Sequence, residues 1–125
     1  PCGTLFPYTT LFRSGKIMHA ELKIGDSKIM LGCPCPEGGH VPPSQLGGSS
    51  VSLFLYVHDA DAAYDRAILA GARSEMEVED TFWGDRMGQV SDPFGHRWSL
   101  ATHTEDLTER QIRQRAEAFF AAHAH

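Results

Sequence analysis

The chain has 125 residues, 42% of them hydrophobic, and a formal net charge of −5. This length and composition favour one soluble globular domain, and the modest acidic charge gives no electrostatic basis for binding nucleic acid or an anionic membrane. No apolar run is long enough to cross a bilayer and no secretory leader is visible, so a reduced, cytoplasmic protein is expected.

The first segment does not read as part of an evolved domain. Residues 4–14, Thr-Leu-Phe-Pro-Tyr-Thr-Thr-Leu-Phe-Arg-Ser, resemble letter for letter the in-frame translation of a widely used sequencing-library adapter. The alternative is a natural strand, because Leu, Phe, Tyr and Thr favour strands. Residues 1–14 are therefore interpreted as an artefactual segment, which is expected to be disordered or to form an opportunistic edge strand.

A hairpin and a long linker come next. Residues 16–24 alternate in polarity and residues 28–31 return after a Gly-Asp-Ser turn, which predicts two antiparallel strands. The Pro- and Gly-rich residues after them predict a linker or a pocket flap. Cys33, Cys35 and His40 suggest a metal, but a structural zinc site needs four ligands and no further Cys or His pair follows. Solvated loop thiols are the favoured interpretation.

A strand, a helix and three more strands follow the linker. Residues 51–57 are strand-like: Val51, Leu53, Leu55 and Val57 should share one apolar face, and the other face is partly apolar, so both faces should be covered. Asp59 or Asp61 should cap a helix that runs to about Ala70, with Gly71 beyond its end. Alternating, β-prone residues predict three further strands, at 73–78, 87–91 and 96–102.

A tight turn joins the last two strands, and a helix follows them. In Asp-Pro-Phe-Gly at residues 92–95, the aspartate bonds its own backbone, proline presets φ, and glycine takes the left-handed conformation. In the strand after the turn, Trp98 is expected on the helix-facing side of the sheet and Ser99 on the other side. Thr108 and Gln111 have the spacing of a capping box, which predicts the start of the last helix.

This order of elements resembles a known module. A strand, a helix and three strands, closed by Asp92-Pro93-Phe94-Gly95-His96-Arg97-Trp98, resemble one module of the vicinal oxygen chelate (VOC) superfamily, the glyoxalase, bleomycin resistance and dioxygenase group. Trp83-Gly84-Asp85-Arg86 and Gly47-Gly48-Ser49-Ser50 are similar to its PhnB-like branch. The resemblance covers residues 15 to about 122. It implies an α+β fold in which two βαβββ modules pair their curved sheets into a cup around a small-molecule site.

The resemblance also implies a division of the chain. The expected segments are the artefactual residues 1–14, the remnant of a truncated first module at 15–32, a linker at 33–49, a second module at 50–104, and a C-terminal helix and tail at 105–125.

Metal-dependent members of this superfamily carry His or Gln on the first strand of each module and Glu on the last. On this sequence the readable positions fall on Ser52, Ser99 and Met30. Serine can coordinate magnesium, but a methionine thioether does not suit a hard cation. No metal site and no other cofactor are therefore predicted, and a divalent metal is the less favoured alternative.

The implied cup would have an aromatic wall with a few polar groups, as small-ligand sites usually have. Arg86 and Arg97 would hold an anionic ligand, with ion pairs to Asp85 or Asp92 as the alternative. Trp83 would cover the ligand or plug a module interface. The candidate ligand-binding residues are Met30, Ser52, Phe54, Tyr56, Trp83, Arg86, Arg97 and Ser99.

His19 and Glu21 are candidate catalytic residues, because a His–Glu pair can act as general acid and base. A solvent-facing pair at a sheet edge is the alternative. Two functions follow from the resemblance. The favoured one is a metal-free small-molecule-binding protein of the bleomycin resistance type, and the other is a glyoxalase-like lyase, isomerase or dioxygenase. The expected partners are a small molecule and a second copy of the chain in a homodimer.

Overall fold

The computed structural model describes residues 4–5, 10–11 and 15–124. The chain forms two compact units, Pro1–Gly48 and Ser49–His125. Both contain a sheet, and the second also carries two helices, so the expected α+β class is confirmed.

The sheet of the first unit is built around one long strand. Strand β3 (Ile17–Ile24) pairs antiparallel with β1 (Thr4–Leu5), β2 (Thr10–Leu11) and β4 (Ser27–Leu31). The predicted hairpin is therefore present as β3 and β4. The remaining residues of the segment interpreted as artefactual lie outside the part of the chain that the structure describes.

The predicted linker contains local structure of its own. A 3-10 turn (Pro36–Gly38) and a short helix α1 (Pro43–Leu46) interrupt it. The amide of Cys35 donates to the carbonyl of His40 at 2.9 Å, and the amide of His40 donates back at 3.0 Å. This bridge closes the loop around the 3-10 turn.

The second unit contains the predicted βαβββ order. Its strands are β5 (Ser52–Tyr56), β6 (Arg73–Asp80), β7 (Asp85–Ser91) and β8 (Arg97–His103). They are arranged in the order β5-β8-β7-β6, with β5 parallel to β8 and the other pairs antiparallel. The parallel pair requires a crossover, which begins with helix α2 (Ala60–Leu69).

Helix α2 covers one face of this sheet. Of the two candidate caps, Asp59 is the one used, since its side chain accepts a hydrogen bond from the amide of Ala62 at 3.1 Å. The core between helix and sheet consists of apolar residues from both, namely Leu55, Val57, Ala63, Tyr64, Ala67, Ile68, Ala72, Val90, Trp98 and Leu100. Val51 was expected on this apolar face, but it precedes β5 and is 64% exposed. Its amide instead donates to the Ser49 hydroxyl.

Gly88 on β7 allows α2 to lie close to the sheet. A Cβ atom at this position would approach Cγ2 of Val78 to 2.8 Å and Cδ2 of Tyr64 to 3.0 Å. Any larger residue would therefore push the helix away or force its neighbours out of their packed positions.

Helix α3 (Glu109–Ala122) begins at the predicted capping box. The hydroxyl of Thr108 accepts from the amide of Gln111, and the Gln111 side chain accepts from the amide of Thr108. Within the described ranges, none of the helices combines the length and apolarity that a membrane crossing requires.

The turn between β7 and β8 depends on one side chain. Oδ1 of Asp92 accepts from the amides of Phe94 at 2.9 Å and His96 at 3.0 Å, while Oδ2 accepts from the indole of Trp98 at 3.0 Å. The aspartate therefore connects the turn to a core side chain.

We expect Asp92→Ala to destabilise the protein by about 2 kcal/mol, because three donors lose their acceptor. Asp92→Asn should cost less, since an amide oxygen can still accept from the turn. Chemical denaturation measures both values, and Asp65→Ala, at an exposed position of α2, is the control. Equal stability of Asp92→Ala and the control would contradict the role of this side chain.

Candidate functional site

The second unit has a polar sheet face that points away from α2. Since strand side chains alternate and residues paired in register share a side, one set of side chains lies opposite the helix. We call this surface the far face and define it by Ser52, Phe54 and Tyr56 of β5, Asp85, Met87, Gln89 and Ser91 of β7, and Arg97, Ser99, Ala101 and His103 of β8.

Two aromatic rings lie side by side along β5. The centroids of Phe54 and Tyr56 are 5.2 Å apart, and their planes are inclined by 53°. The two residues are 48% and 63% exposed, respectively. Large exposed aromatic side chains offer apolar area to a partner at a low cost in conformational entropy.

A buried carboxylate lies at one end of the far face. Asp85 is 1% exposed, and its Oδ2 accepts from the hydroxyl of Tyr56 at 2.8 Å and from the indole of Trp83 at 2.9 Å. Its Oδ1 lies 3.1 Å from Nδ1 of His103. The other ring nitrogen of His103, Nε2, lies 2.7 Å from Oδ1 of Asp106.

These contacts set the protonation of the network. Burial raises the pKa of Asp85, but the hydrogen bonds from His103, Tyr56 and Trp83 outweigh burial and hold it below its ordinary value. The carboxylates of Asp106 and Asp85 raise the pKa of His103. The hydrogen bond to Asp85 raises the pKa of Tyr56, so the phenol stays a donor.

Four other polar side chains of the far face also have hydrogen-bond or ion-pair partners. The amide of Gln89 donates to the hydroxyl of the buried Ser99 at 3.0 Å. At the opposite end from Asp85, Glu75 accepts from Ser91 at 2.6 Å and lies 3.4 Å from the guanidinium of Arg97. The polar groups are therefore held in place by hydrogen bonds between neighbouring strands.

Five of the predicted ligand-binding residues share this face: Ser52, Phe54, Tyr56, Arg97 and Ser99. Trp83 joins them through its hydrogen bond to Asp85. Arg86 does not, because it alternates with Asp85 and points towards α2. There its guanidinium binds Asp61 at 2.7 and 3.0 Å and Asp80 at 3.2 Å. Its ion-pair partners are thus neither Asp85 nor Asp92.

The remaining candidates lie in the first unit. Nε2 of His19 is 3.7 Å from Oε1 of Glu21, which is within ion-pair range but too long for a hydrogen bond. His19 and Met30 line an open cleft of about 390 Å³. Cys33, Cys35 and His40 line the same cleft, and both cysteines are free thiols.

The residues at the expected metal-ligand positions do not fit a divalent cation. The hydroxyl of Ser99 accepts from Gln89, Ser52 lies at the exposed start of β5, and Met30 offers only a thioether. Over residues 15–124, no three His, Cys, Asp or Glu side chains are placed to hold a metal together.

The sequence analysis missed Asp85, His103 and Asp106 as members of a site. Asp85 was noted only as part of the Trp-Gly-Asp-Arg motif and as an alternative ion-pair partner for an arginine. Its position at the start of β7, opposite His103 at the end of β8, follows from strand register. The Trp-Gly-Asp-Arg motif was the one available signal, since it places a carboxylate directly before a strand.

Comparisons with known proteins agree with this fold. Residues 10–100 match a family model described as the Glyoxalase/Bleomycin resistance protein/Dioxygenase superfamily. The uncharacterized protein Rv0887c of Mycobacterium tuberculosis is 42% identical over 101 residues, which are 78% of this chain and 59% of that protein. YjdN of Escherichia coli is 31% identical over 109 residues, which are 87% and 67% of the two chains.

The crystal structure of TioX from Micromonospora sp. ML1 has a TM-score of 0.58 to this chain at 25% identity, and the match covers 81% of this chain and 79% of TioX. The chain spans 59% to 66% of the length of the mycobacterial relatives that it matches.

The Asp85–His103 network should lower the free energy of unfolding both when the pH rises, through His103, and when the pH falls, through Asp85. The folded pKa of His103 lies above its ordinary 6.5, so its contribution is complete below pH 6.5 and is lost as the pH rises through the folded value. The folded pKa of Asp85 lies below 3.8, so its contribution is present above pH 3.8 and is lost as the pH falls through the folded value.

We therefore expect the free energy of unfolding to fall between about pH 6 and about pH 9, and to fall less in His103→Gln. Urea denaturation at the two pH values measures this difference. His58→Gln, at an exposed histidine of the same unit, controls for the substitution itself. The same pH dependence in His103→Gln as in the unsubstituted protein would show that the network does not supply it.

Proposed function

Because the chain belongs to the glyoxalase, bleomycin resistance and dioxygenase superfamily, we propose that it binds a small molecule on the far face without a metal, as a bleomycin-resistance-like sequestering protein. The observation that carries the proposal is the exposed Phe54–Tyr56 pair beside a row of buried, hydrogen-bonded polar groups. Aromatic area beside a few polar groups in fixed positions is a combination that small-ligand sites commonly use.

The aromatic pair supplies the apolar contact in this proposal. A planar ligand would stack on one ring of the Phe54–Tyr56 pair and contact the other at an angle, because the two ring planes are inclined by 53°. Asp85 fixes the Tyr56 hydroxyl, so that ring has one preferred position. The Gln89 amide donates to the hydroxyl of Ser99, which holds both side chains in place beside the rings.

An enzymatic function is the alternative, as a glyoxalase-like lyase, isomerase or dioxygenase. It would use His19 and Glu21 as acid and base, but their 3.7 Å separation provides weaker support than the aromatic pair does for binding. We also propose that two copies of the chain associate, and light scattering alongside the binding experiment would measure this.

The neutral bicyclic amide 2-naphthamide is a suitable first probe, because it offers a flat ring and no charge. We expect it to bind saturably and Phe54→Ala to weaken binding about three- to tenfold, as expected for the loss of one aromatic contact. NMR titration of the protein with the amide measures both dissociation constants.

Phe94→Ala is the matched control, because Phe94 is 68% exposed but lies in the turn between β7 and β8. It should leave the dissociation constant unchanged. An equal loss of affinity in Phe94→Ala and Phe54→Ala, or the absence of saturable binding, would contradict the proposed site.

A further inference from the structure

We propose that the ligand of the far face is an aromatic carboxylate, and that Nε2–H of His103 binds its carboxylate group where the side chain of Asp106 now binds. This inference rests on the proposed function and deepens it by naming the chemical class of the ligand. It follows from the hydrogen bonds of His103, from the exposure of its two partners, and from its connection to the aromatic pair.

The two contacts of His103 favour its doubly protonated imidazolium form. Its Nδ1 faces Oδ1 of Asp85 and its Nε2 faces Oδ1 of Asp106. An ionised carboxylate can only accept a hydrogen bond, so the ring satisfies both carboxylates when both of its nitrogens carry a proton. The group that Nε2 presents outwards is therefore a charged donor, which favours an anion over a neutral acceptor.

The two carboxylates differ in how easily they can be replaced. Asp85 is 1% exposed and accepts from Tyr56 and Trp83 as well as His103, so it is fixed. The side chain of Asp106 is 100% exposed. Ion pairs between exposed groups contribute little because water competes for both partners. A carboxylate from a ligand can therefore take the place of Asp106 without disturbing Asp85.

The backbone that carries Asp106 is nevertheless held close to the network. The carbonyl of Gly84 accepts from the amides of Thr104 and Glu105 at 2.9 and 3.0 Å, and from the Thr104 hydroxyl at 2.9 Å. These bonds keep the Asp106 side chain within reach of His103, so it competes with a ligand at a high local concentration.

The charged donor is adjacent to the aromatic pair. One carboxylate, that of Asp85, binds both the hydroxyl of Tyr56 and Nδ1 of His103. The Tyr56 ring is in turn in contact with Phe54. A ligand that packs against this pair of rings can therefore direct a carboxylate attached to its own ring towards His103.

The arginines of the sheet are less suited to this task. Arg86 lies on the α2 side and already binds two carboxylates. Arg97 is on the far face, but its guanidinium pairs with Glu75, which Ser91 and Arg73 also hold. His103 is thus better suited than these arginines, because its partner Asp106 is fully exposed and can be displaced by a ligand.

The test compares 2-naphthoate with 2-naphthamide, two ligands of the same shape that differ in charge. At about pH 6, where the carboxylate is ionised, we expect the naphthoate to bind about three- to fivefold more tightly, as an exposed charge pair provides. In His103→Gln this preference should disappear while the amide still binds. In Asp106→Asn the naphthoate should bind more tightly and the amide should be unaffected.

His96→Gln and Asp65→Asn, at exposed positions outside the network, are the matched controls and should keep the affinities of the unsubstituted protein. Asp106→Asn decides the question even if His103→Gln folds poorly, because it changes a fully exposed side chain. Tighter naphthoate binding in this variant supports the inference, and unchanged or weaker binding refutes it.

The inference also fails if both ligands bind equally well, or if Arg97→Gln rather than His103→Gln abolishes the preference. In either case, binding of the amide that depends on Phe54 would leave the proposed function intact. If neither ligand binds the unsubstituted protein, the proposed function and the inference fail together.

Discussion

The burial of one carboxylate constrains the arrangement of the second unit. Asp85 is almost completely removed from water, and an ionised side chain in such a place is tolerated only when hydrogen bonds replace its hydration. Its donors come from three places in the chain: Tyr56 from β5, Trp83 from the loop before β7, and His103 from β8. The ends of these elements must therefore meet at one point.

This requirement gives strand β7 two different functions. Side chains that point towards α2 serve packing: Arg86 binds Asp61 at the start of the helix, and Gly88 leaves room for Tyr64. Side chains that point to the far face carry polar chemistry, from Asp85 to Ser91. Since alternate residues serve opposite faces, a shift of one residue in register would expose the core and bury the charges. The hydrogen bonds of Asp85 therefore also specify the register.

Local signals were sufficient to predict much of the fold. Asp59 and the Thr108–Gln111 box mark helix starts because a cap is recognised from a few neighbouring residues. The turn at residues 92–95 is specified in the same way by its own side chains. Val51 was placed wrongly because the alternation of β5 extends one residue beyond the hydrogen bonds of the strand, and nothing in the sequence marks where pairing begins.

The candidate site was only partly predictable, because some of its contacts depend on how strands pair and not on the sequence of one strand. That Phe54 and Tyr56 share a face of β5, and Arg97 and Ser99 a face of β8, was predictable because side chains alternate along each strand. The Asp85–His103 pair depends on the register between two strands, and Asp106 adds a contact from the segment after β8. Arg86 was grouped with the site, while the strand was predicted to begin only at residue 87. In the structure Asp85 begins the strand, so its neighbour points to the other face.

The balance of charges on the far face explains why an exposed acid next to His103 matters. Glu75 pairs with Arg97 and Arg73 at the other end of the face, whereas at His103 two carboxylates meet one imidazole, so Asp106 is the second negative charge there. A neutral ligand on the rings leaves that charge in place. A ligand carboxylate that bound in addition to Asp106 would bring two negative charges to one imidazolium, which is unfavourable.

A ligand carboxylate therefore has to displace the Asp106 side chain into water, where a fully exposed group is readily solvated. The ion pair between His103 and Asp106 lowers the affinity for every anion by the same amount, because each anion has to displace the same side chain. Differences in affinity between anions therefore come from the contacts that the rest of each ligand makes with Phe54 and Tyr56. A carboxylate without a ring competes poorly with a tethered aspartate, so an anion needs the additional affinity of the aromatic contacts to displace Asp106 at low concentration.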